Sequence, residues 1–218
     1  MRVLPPRSQR AFTLVEVLSS LAIVAALAAL LVPVSKRMID SGKSVKCASN
    51  LRQIGLGLNA YAVDHDEHYP PVVINPVGWK YWDMDAIWEY VSGRPSSASV
   101  NYYTTYKTSV FYCPASDPTK NCSYGMNAMF PAGVKNYYEP RKRTQIAKPA
   151  LCLLLGEGTN HALDSWWSTG VGQPMTFPHS GRQNLLFADL HVELRDRDNI
   201  PKGGWGTPET TDPFWTGN

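Results

Sequence analysis

Residues 12–34 read FTLVEVLSSLAIVAALAALLVPV, and this run constrains the fold more than any other part of the chain. As one helix its 23 residues reach about 34 Å, enough to cross a hydrocarbon core of about 30 Å. A secretory signal peptide shares the basic start and the apolar core, but its apolar region spans only about 7 to 15 residues. Glu16 is the single charge in the run. A carboxylate in an apolar setting is expensive unless something pairs with it, so its presence predicts a functional partner.

Charge elsewhere excludes one class of function. Arg2, Arg7 and Arg10 precede the run with no acidic neighbour, and the rest of the chain balances 18 basic against 18 acidic residues. The basic excess therefore belongs to a leader-like stretch, and no nucleic acid partner is expected. Lys36, Arg37, Lys43 and Lys46 follow the run, so charge flanking alone leaves its orientation open.

The heptapeptide Arg10-Ala11-Phe12-Thr13-Leu14-Val15-Glu16 resembles the class III signal of type IV prepilins and type II secretion pseudopilins. The resemblance implies cleavage by a prepilin peptidase between Ala11 and Phe12 and methylation of the new Phe12 amine. Ala11 departs from the family's usual Gly, and is its smallest replacement. Glu16 and Pro33 fall at mature positions typical of pilins. Cleavage creates a cation on Phe12, with Glu16 as the nearby anion. In a staggered filament the amine of an incoming subunit meets Glu16 of its neighbour, which sets the register of assembly.

The apolar pattern continues as a helical stripe through Cys47, Leu51, Ile54, Leu58 and Tyr61, which predicts packing on the chain's own globular domain. Gly55 and Gly57 each weaken a helix by about 1 kcal/mol relative to Ala, so another element is expected to approach there. Pro33 and Ser41-Gly42 read as kinks. The segment 47–55, Tyr69-Pro70-Pro71, Phe111-Tyr112-Cys113-Pro114, Ser123-Tyr124-Gly125-Met126-Asn127 and residues 178–193 resemble a large bacterial pseudopilin-like family with a C-terminal H-x9-D-G motif.

The fold expected is α+β and pilin-like: a long N-terminal α-helix, membrane-spanning in its first half, packed on a small antiparallel β-sheet globular domain. Five regions follow: leader 1–11, transmembrane and assembly half-helix 12–34, amphipathic half-helix 35–66, globular domain 67–198 and C-terminal arm 199–218. Residues 110–113, 122–126, 151–155, 184–188 and 191–195 read as strands, 82–91 as a helix ended by Gly93, and 96–105 as a polar loop. Trp205, Phe214 and Trp215 give the arm aromatics that pack across its own sheet or meet a partner.

His179 and Asp189 have the motif's spacing, but Leu190 replaces its Gly. A two-residue type I′ turn would cost Leu about 1 to 2 kcal/mol, so a longer or different turn is expected. The preferred role for His179 and Asp189 is a structural clamp, a His to Asp hydrogen bond tying a loop to a hairpin. A transition-metal site of His179, Asp189 and His191 is the alternative, short of the four ligands that structural zinc wants. No cofactor is firmly indicated; calcium or a transition metal is possible, calcium by analogy with secretion pseudopilins. Residues 64–68 offer oxygen and imidazole groups without the calcium-loop pattern and read as a solvated helix end.

Cys47, Cys113, Cys122 and Cys152 contain no C-x-x-C pair and permit two disulfides in three connectivities. No hydrolase elbow, zincin motif or complete phosphate loop occurs, and His161, Asp164 and Ser165 read as surface-loop residues. The chain is therefore expected to be a structural subunit and not an enzyme. Its expected partners are the prepilin peptidase, an inner-membrane assembly platform, other pilin-like subunits and the membrane. The expected location is the bacterial inner membrane, single-pass, with a periplasmic globular domain, or an assembled envelope filament. The alternatives are a membrane-anchored metal-binding or enzymatic domain, or a module binding substrate or DNA.

Overall fold

The computed structural model describes residues 14–75, 80–93, 106–120, 122–129, 137–164, 175–202 and 211–218. The predicted loop 96–105 lies outside them, as do Trp205 and the leader. The chain divides into two units, Met1–Ile39 and Asp40–Asn218. Helix α1, Leu14–Asp64, supplies the described part of the first unit and the opening element of the second, and is helical through Pro33 and Gly42.

In the second unit five strands form one sheet: β4 (Tyr124–Asn127), β6 (Leu153–Glu157), β7 (Ala162–Leu163), β8 (Arg182–Phe187) and β9 (Val192–Asp196), in the order β7-β4-β6-β8-β9. All neighbours are antiparallel except β4 and β7, which run parallel, so the sheet is mixed. Two-residue strands β1 (His68–Tyr69) and β5 (Arg141–Lys142) pair separately, as do β2 (Val73–Asn75) and β3 (Lys80–Tyr81). These short pairs escaped the sequence reading because two residues carry no period.

Both faces of the sheet are covered. Along β8, Leu186 joins the core that contains Cys47, Leu51, Ile54 and Leu58 of α1, while Leu185 and Phe187 join Leu153, Phe214 and Trp215 on the other side. Alternation in a strand sends neighbours to opposite faces, so the uninterrupted Leu-Leu-Phe run reports double burial. The arm therefore packs on its own sheet through Phe214 and Trp215. Its last helix, α3 (Pro213–Thr216), is capped by Asp212, whose Oδ1 accepts from the Phe214 N–H at 2.8 Å, with Pro213 in the first turn.

Three local expectations change. Residues 110–113 form a turn rather than a strand, anchored by Asn50 Nδ2 donating to Tyr112 O at 3.0 Å. The single helix expected over 82–91 is a π-helical turn, Trp82–Ala86, followed by α2 (Trp88–Ser92), which ends at left-handed Gly93. Leu190 adopts φ 72° itself, in a β8–β9 turn closed by Phe187 N–H to His191 O at 3.0 Å and Leu190 N–H to Phe187 O at 2.9 Å. The turn is longer than two residues, yet Leu still carries the left-handed backbone. Its side chain lies over Gly55, where an added Cβ would fall 3.0 Å from Leu190 Cδ2 and 2.8 Å from Leu186 Cδ2.

At Gly57 an added Cβ would lie 2.3 Å from Val91 Cγ2, whereas at Gly42 it meets nothing within 4 Å. Gly42→Ala is accordingly expected to raise stability by about 1 kcal/mol through helix propensity. Gly57→Ala is expected to lower it by about 1 to 2 kcal/mol, because overpacking outweighs the same gain. Thermal unfolding of the two variants against the parent checks this, and a stabilised Gly57→Ala would refute the close approach of α2.

Candidate functional site

The first unit presents the most unusual surface. Its described large apolar side chains are all exposed, from Leu14 at 74% to Ile39 at 58%, and no described residue of the unit covers them. Leu, Ala and Val dominate the run, and Ser19 and Ser20 turn their hydroxyls back onto Glu16 O at 3.0 Å and Val17 O at 2.9 Å. Ser35 does the same with Leu31 O at 2.9 Å. Each hydroxyl is thus satisfied within the helix and adds little polarity to its flank. The helix is long and apolar enough to cross a membrane. Glu16 sits in its first turn, where the helix dipole favours an anion. Ala11 and Phe12 lie outside the described residues.

The second unit holds a buried polar junction between α1 and the sheet. Cys47 of α1 is disulfide-bonded to Cys113 in the turn before β4, and both are fully buried. Beside it, His179 Nε2 and Glu157 Oε1 are 2.7 Å apart, and Glu157 Oε2 accepts from the Asn184 N–H at 3.0 Å. Asn184 Nδ2 then donates to Ser44 O at 3.2 Å, returning the network to α1. Burial raises the Glu157 carboxyl above its ordinary range, against the opposing pull of His179 and Asn184.

This geometry corrects the proposed clamp. His179 bonds Glu157, a residue that sequence spacing did not single out, and Asp189 bonds His191 instead, Oδ1 to Nδ1 at 2.5 Å. Asp189 and His191 are part-exposed on the hairpin, whereas His179 is buried, so the three do not converge as a metal site. Burial works to raise the Asp189 carboxyl, but hydrogen bonds from His191 hold it below its ordinary value. The signal for Glu157 was available only as an acidic residue closing an apolar strand, LLLGE.

Donor atoms of Cys47, Cys113, Glu157 and His179 lie within 4.8 Å of one another. With the two sulfurs bonded to each other they are not thiolate ligands, and the remaining pair is hydrogen-bonded. The cysteine expectation is also revised, since one disulfide forms while Cys122 and Cys152 are buried free thiols. At the solvated helix end, Glu67 takes φ 66° and pairs with Arg143, while His65 stacks on Tyr61 at 3.7 Å. His161 and Asp164, expected on a surface loop, are both buried, and Ser165 lies outside the described residues.

Comparison with known proteins gives one match: residues 6–32 fit the family described as the prokaryotic N-terminal methylation motif, the prepilin-type signal of type IV pilins and pseudopilins. No curated protein and no solved structure matches the chain.

Proposed function

We infer, from a prepilin-type methylation signal set directly on an exposed apolar helix, that the chain is a pilin-like structural subunit stored in the inner membrane and polymerised through that helix. The observation that carries this reading is the coincidence of the motif at residues 6–32 with large apolar side chains that are exposed among the described residues of their unit. Lipid covers that surface before assembly and neighbouring helices cover it afterwards. A prepilin peptidase removes residues 1–11 and the Phe12 amine is methylated. Glu16 of one subunit receives the Phe12 amine of the next, delivered by an inner-membrane assembly platform. The filament is a type II secretion pseudopilus or a type IV pilus-like fibre, with the globular domain on the periplasmic side. The disulfide and the Glu157 network hold the second half of α1 to the sheet, so that force on the helix reaches the domain. No enzymatic role enters this reading.

Mass spectrometry of the mature protein is expected to give an N-terminus at Phe12 carrying one methyl group. A terminus near Ala28 or Ser35 would identify an ordinary signal peptide and defeat the proposal. Glu16→Ala is expected to remain membrane-inserted and processed while filament yield falls at least about tenfold, the loss of one desolvated charge pair. Equal yields from variant and parent, measured in sheared-filament fractions, would remove Glu16 from assembly.

A further inference from the structure

The disulfide that ties α1 to the sheet is packed directly against a carboxylate and an imidazole. Cys113 Sγ lies 3.3 Å from Glu157 Oε1 and 3.7 Å from His179 Nε2, and those two atoms are themselves 2.7 Å apart. With the sulfur of Cys47, four donor atoms fall within 4.8 Å of one another. Around a tetrahedral zinc ion, with Zn–S of about 2.3 Å and Zn–N or Zn–O of about 2.0 to 2.1 Å, ligand atoms stand roughly 3.3 to 3.8 Å apart. The gaps from Cys113 to Glu157 and to His179 already match. The His179–Glu157 pair has to open by roughly 0.6 Å to admit the ion.

Each donor comes from a different part of the fold. Cys47 lies on the buried face of α1, Cys113 in the turn before β4, Glu157 at the end of β6 and His179 shortly before β8. All four side chains are buried, so packing holds their geometry and water is kept from the cluster. Supporting contacts are in place as well. The Asn184 N–H donates to Glu157 Oε2 at 3.0 Å, which leaves Oε1 turned toward the sulfurs, and Asn184 Nδ2 donates to Ser44 O at 3.2 Å, one turn before Cys47 on α1. Outer contacts of this kind orient metal ligands. Two soft thiolates and an imidazole select zinc over calcium or magnesium.

We propose that reduction of the Cys47–Cys113 disulfide converts this junction into a four-ligand zinc site of Cys47, Cys113, Glu157 and His179. A dithiol supplies the two electrons and two protons that break the S–S bond, and closes to its own disulfide. Zinc then replaces the two thiol protons, which leave to solvent, while Glu157 Oε1 and the lone pair of His179 Nε2 complete the tetrahedron. Buried thiolates beside a buried carboxylate repel one another, and the divalent cation removes that cost. The oxidised and the reduced chain therefore each carry a cross-link between α1 and the sheet, one covalent and one through the ion. The junction is closed in both states.

The test uses the full-length protein in detergent, treated anaerobically with dithiothreitol until all four thiols titrate and then desalted, with zinc chloride as probe. Elemental analysis is expected to give about one zinc per reduced chain and less than about a tenth of that for the oxidised chain. Zinc at about 100 times its dissociation constant should raise the Tm of the reduced chain by roughly 5 to 10 °C. Cobalt(II) chloride in place of zinc should give the intense visible bands of a tetrahedral ion and the near-ultraviolet charge transfer of thiolate ligation. His179→Ala and Glu157→Gln are each expected to weaken zinc binding at least about tenfold, whereas Cys122→Ser and Cys152→Ser leave it unchanged. Where a ligand variant fails to fold by circular dichroism, the parent's stoichiometry and cobalt spectrum decide. Equal zinc on oxidised and reduced chains, no zinc after reduction, a cobalt spectrum without thiolate charge transfer, or binding indifferent to both ligand variants would overturn the proposal.

Discussion

Replacing Cys47 and Cys113 together by serine is expected to destabilise the globular unit by about 4 kcal/mol, the loop-closure entropy that a cross-link over 66 residues removes from the unfolded chain. For a unit of this size that corresponds to a fall in Tm of roughly 10 °C. Either single substitution breaks the same bond and should give most of the loss, and a thiol reductant acting on the parent should reproduce it. The consequence is local to the junction, because Cys47 lies on the buried stripe of α1 and Cys113 in the turn that Asn50 also holds. Near-ultraviolet circular dichroism of the full-length protein in detergent measures the effect. An unchanged melting curve under reduction would show that burial alone fixes the helix to the sheet.

Removing His179 is expected to have an effect of similar size by a different route. His179→Ala leaves Glu157 fully buried, held by Asn184 without its imidazole partner, and breaking a buried pair in this way costs about 3 to 5 kcal/mol. The pH dependence gives the sign. Burial raises the Glu157 carboxyl above its ordinary 4.5 in the folded state, so folding favours its protonated form. Its contribution is complete below about pH 4.5 and is lost as the pH rises through the raised value. The His179→Ala deficit should therefore shrink on acidification from neutral pH toward 4.5, and Glu157→Gln should flatten that dependence. The double variant His179→Ala/Glu157→Gln should lose less than the sum of the singles, because they share one interaction. Additive losses with no pH dependence would reject the coupling and reduce both residues to independent packing.

Several features of this junction were legible in the residues. The stripe from Cys47 to Leu58 announced a buried helical face, and Gly55 with Gly57 announced a close approach, found at Leu186, Leu190 and Val91. Four of the five strands anticipated appear within a few residues of their expected places, since alternating or continuous apolar runs carry that signal. The turn at 110–113 was misread as a strand because Val-Phe-Tyr-Cys has strand propensity, whereas Phe111 and Cys113 are buried by packing against α1 and its neighbours. Leu190 ran against its backbone preference because the space above Gly55 accepts its side chain.

What the sequence determined by itself is whatever depends on neighbours along the chain: an apolar helix long enough to cross a membrane, the methylation motif at residues 6–32, the amphipathic continuation of the helix and the sheet strands. Periodicity and local motifs are properties of adjacent residues, so they survive without knowledge of the fold. Pairing across the chain is decided elsewhere. His179 lies ten residues from Asp189 yet meets Glu157, 22 residues away, and His161 meets Asp83 across 78 residues. Cys47 selects Cys113 over Cys122 and Cys152 by the same logic. In each case the strand order and the seat of α1 bring the partners together. Burial then makes an unpaired charge costly, so only the tertiary structure, which sets both proximity and burial, could choose among partners that the sequence left equivalent.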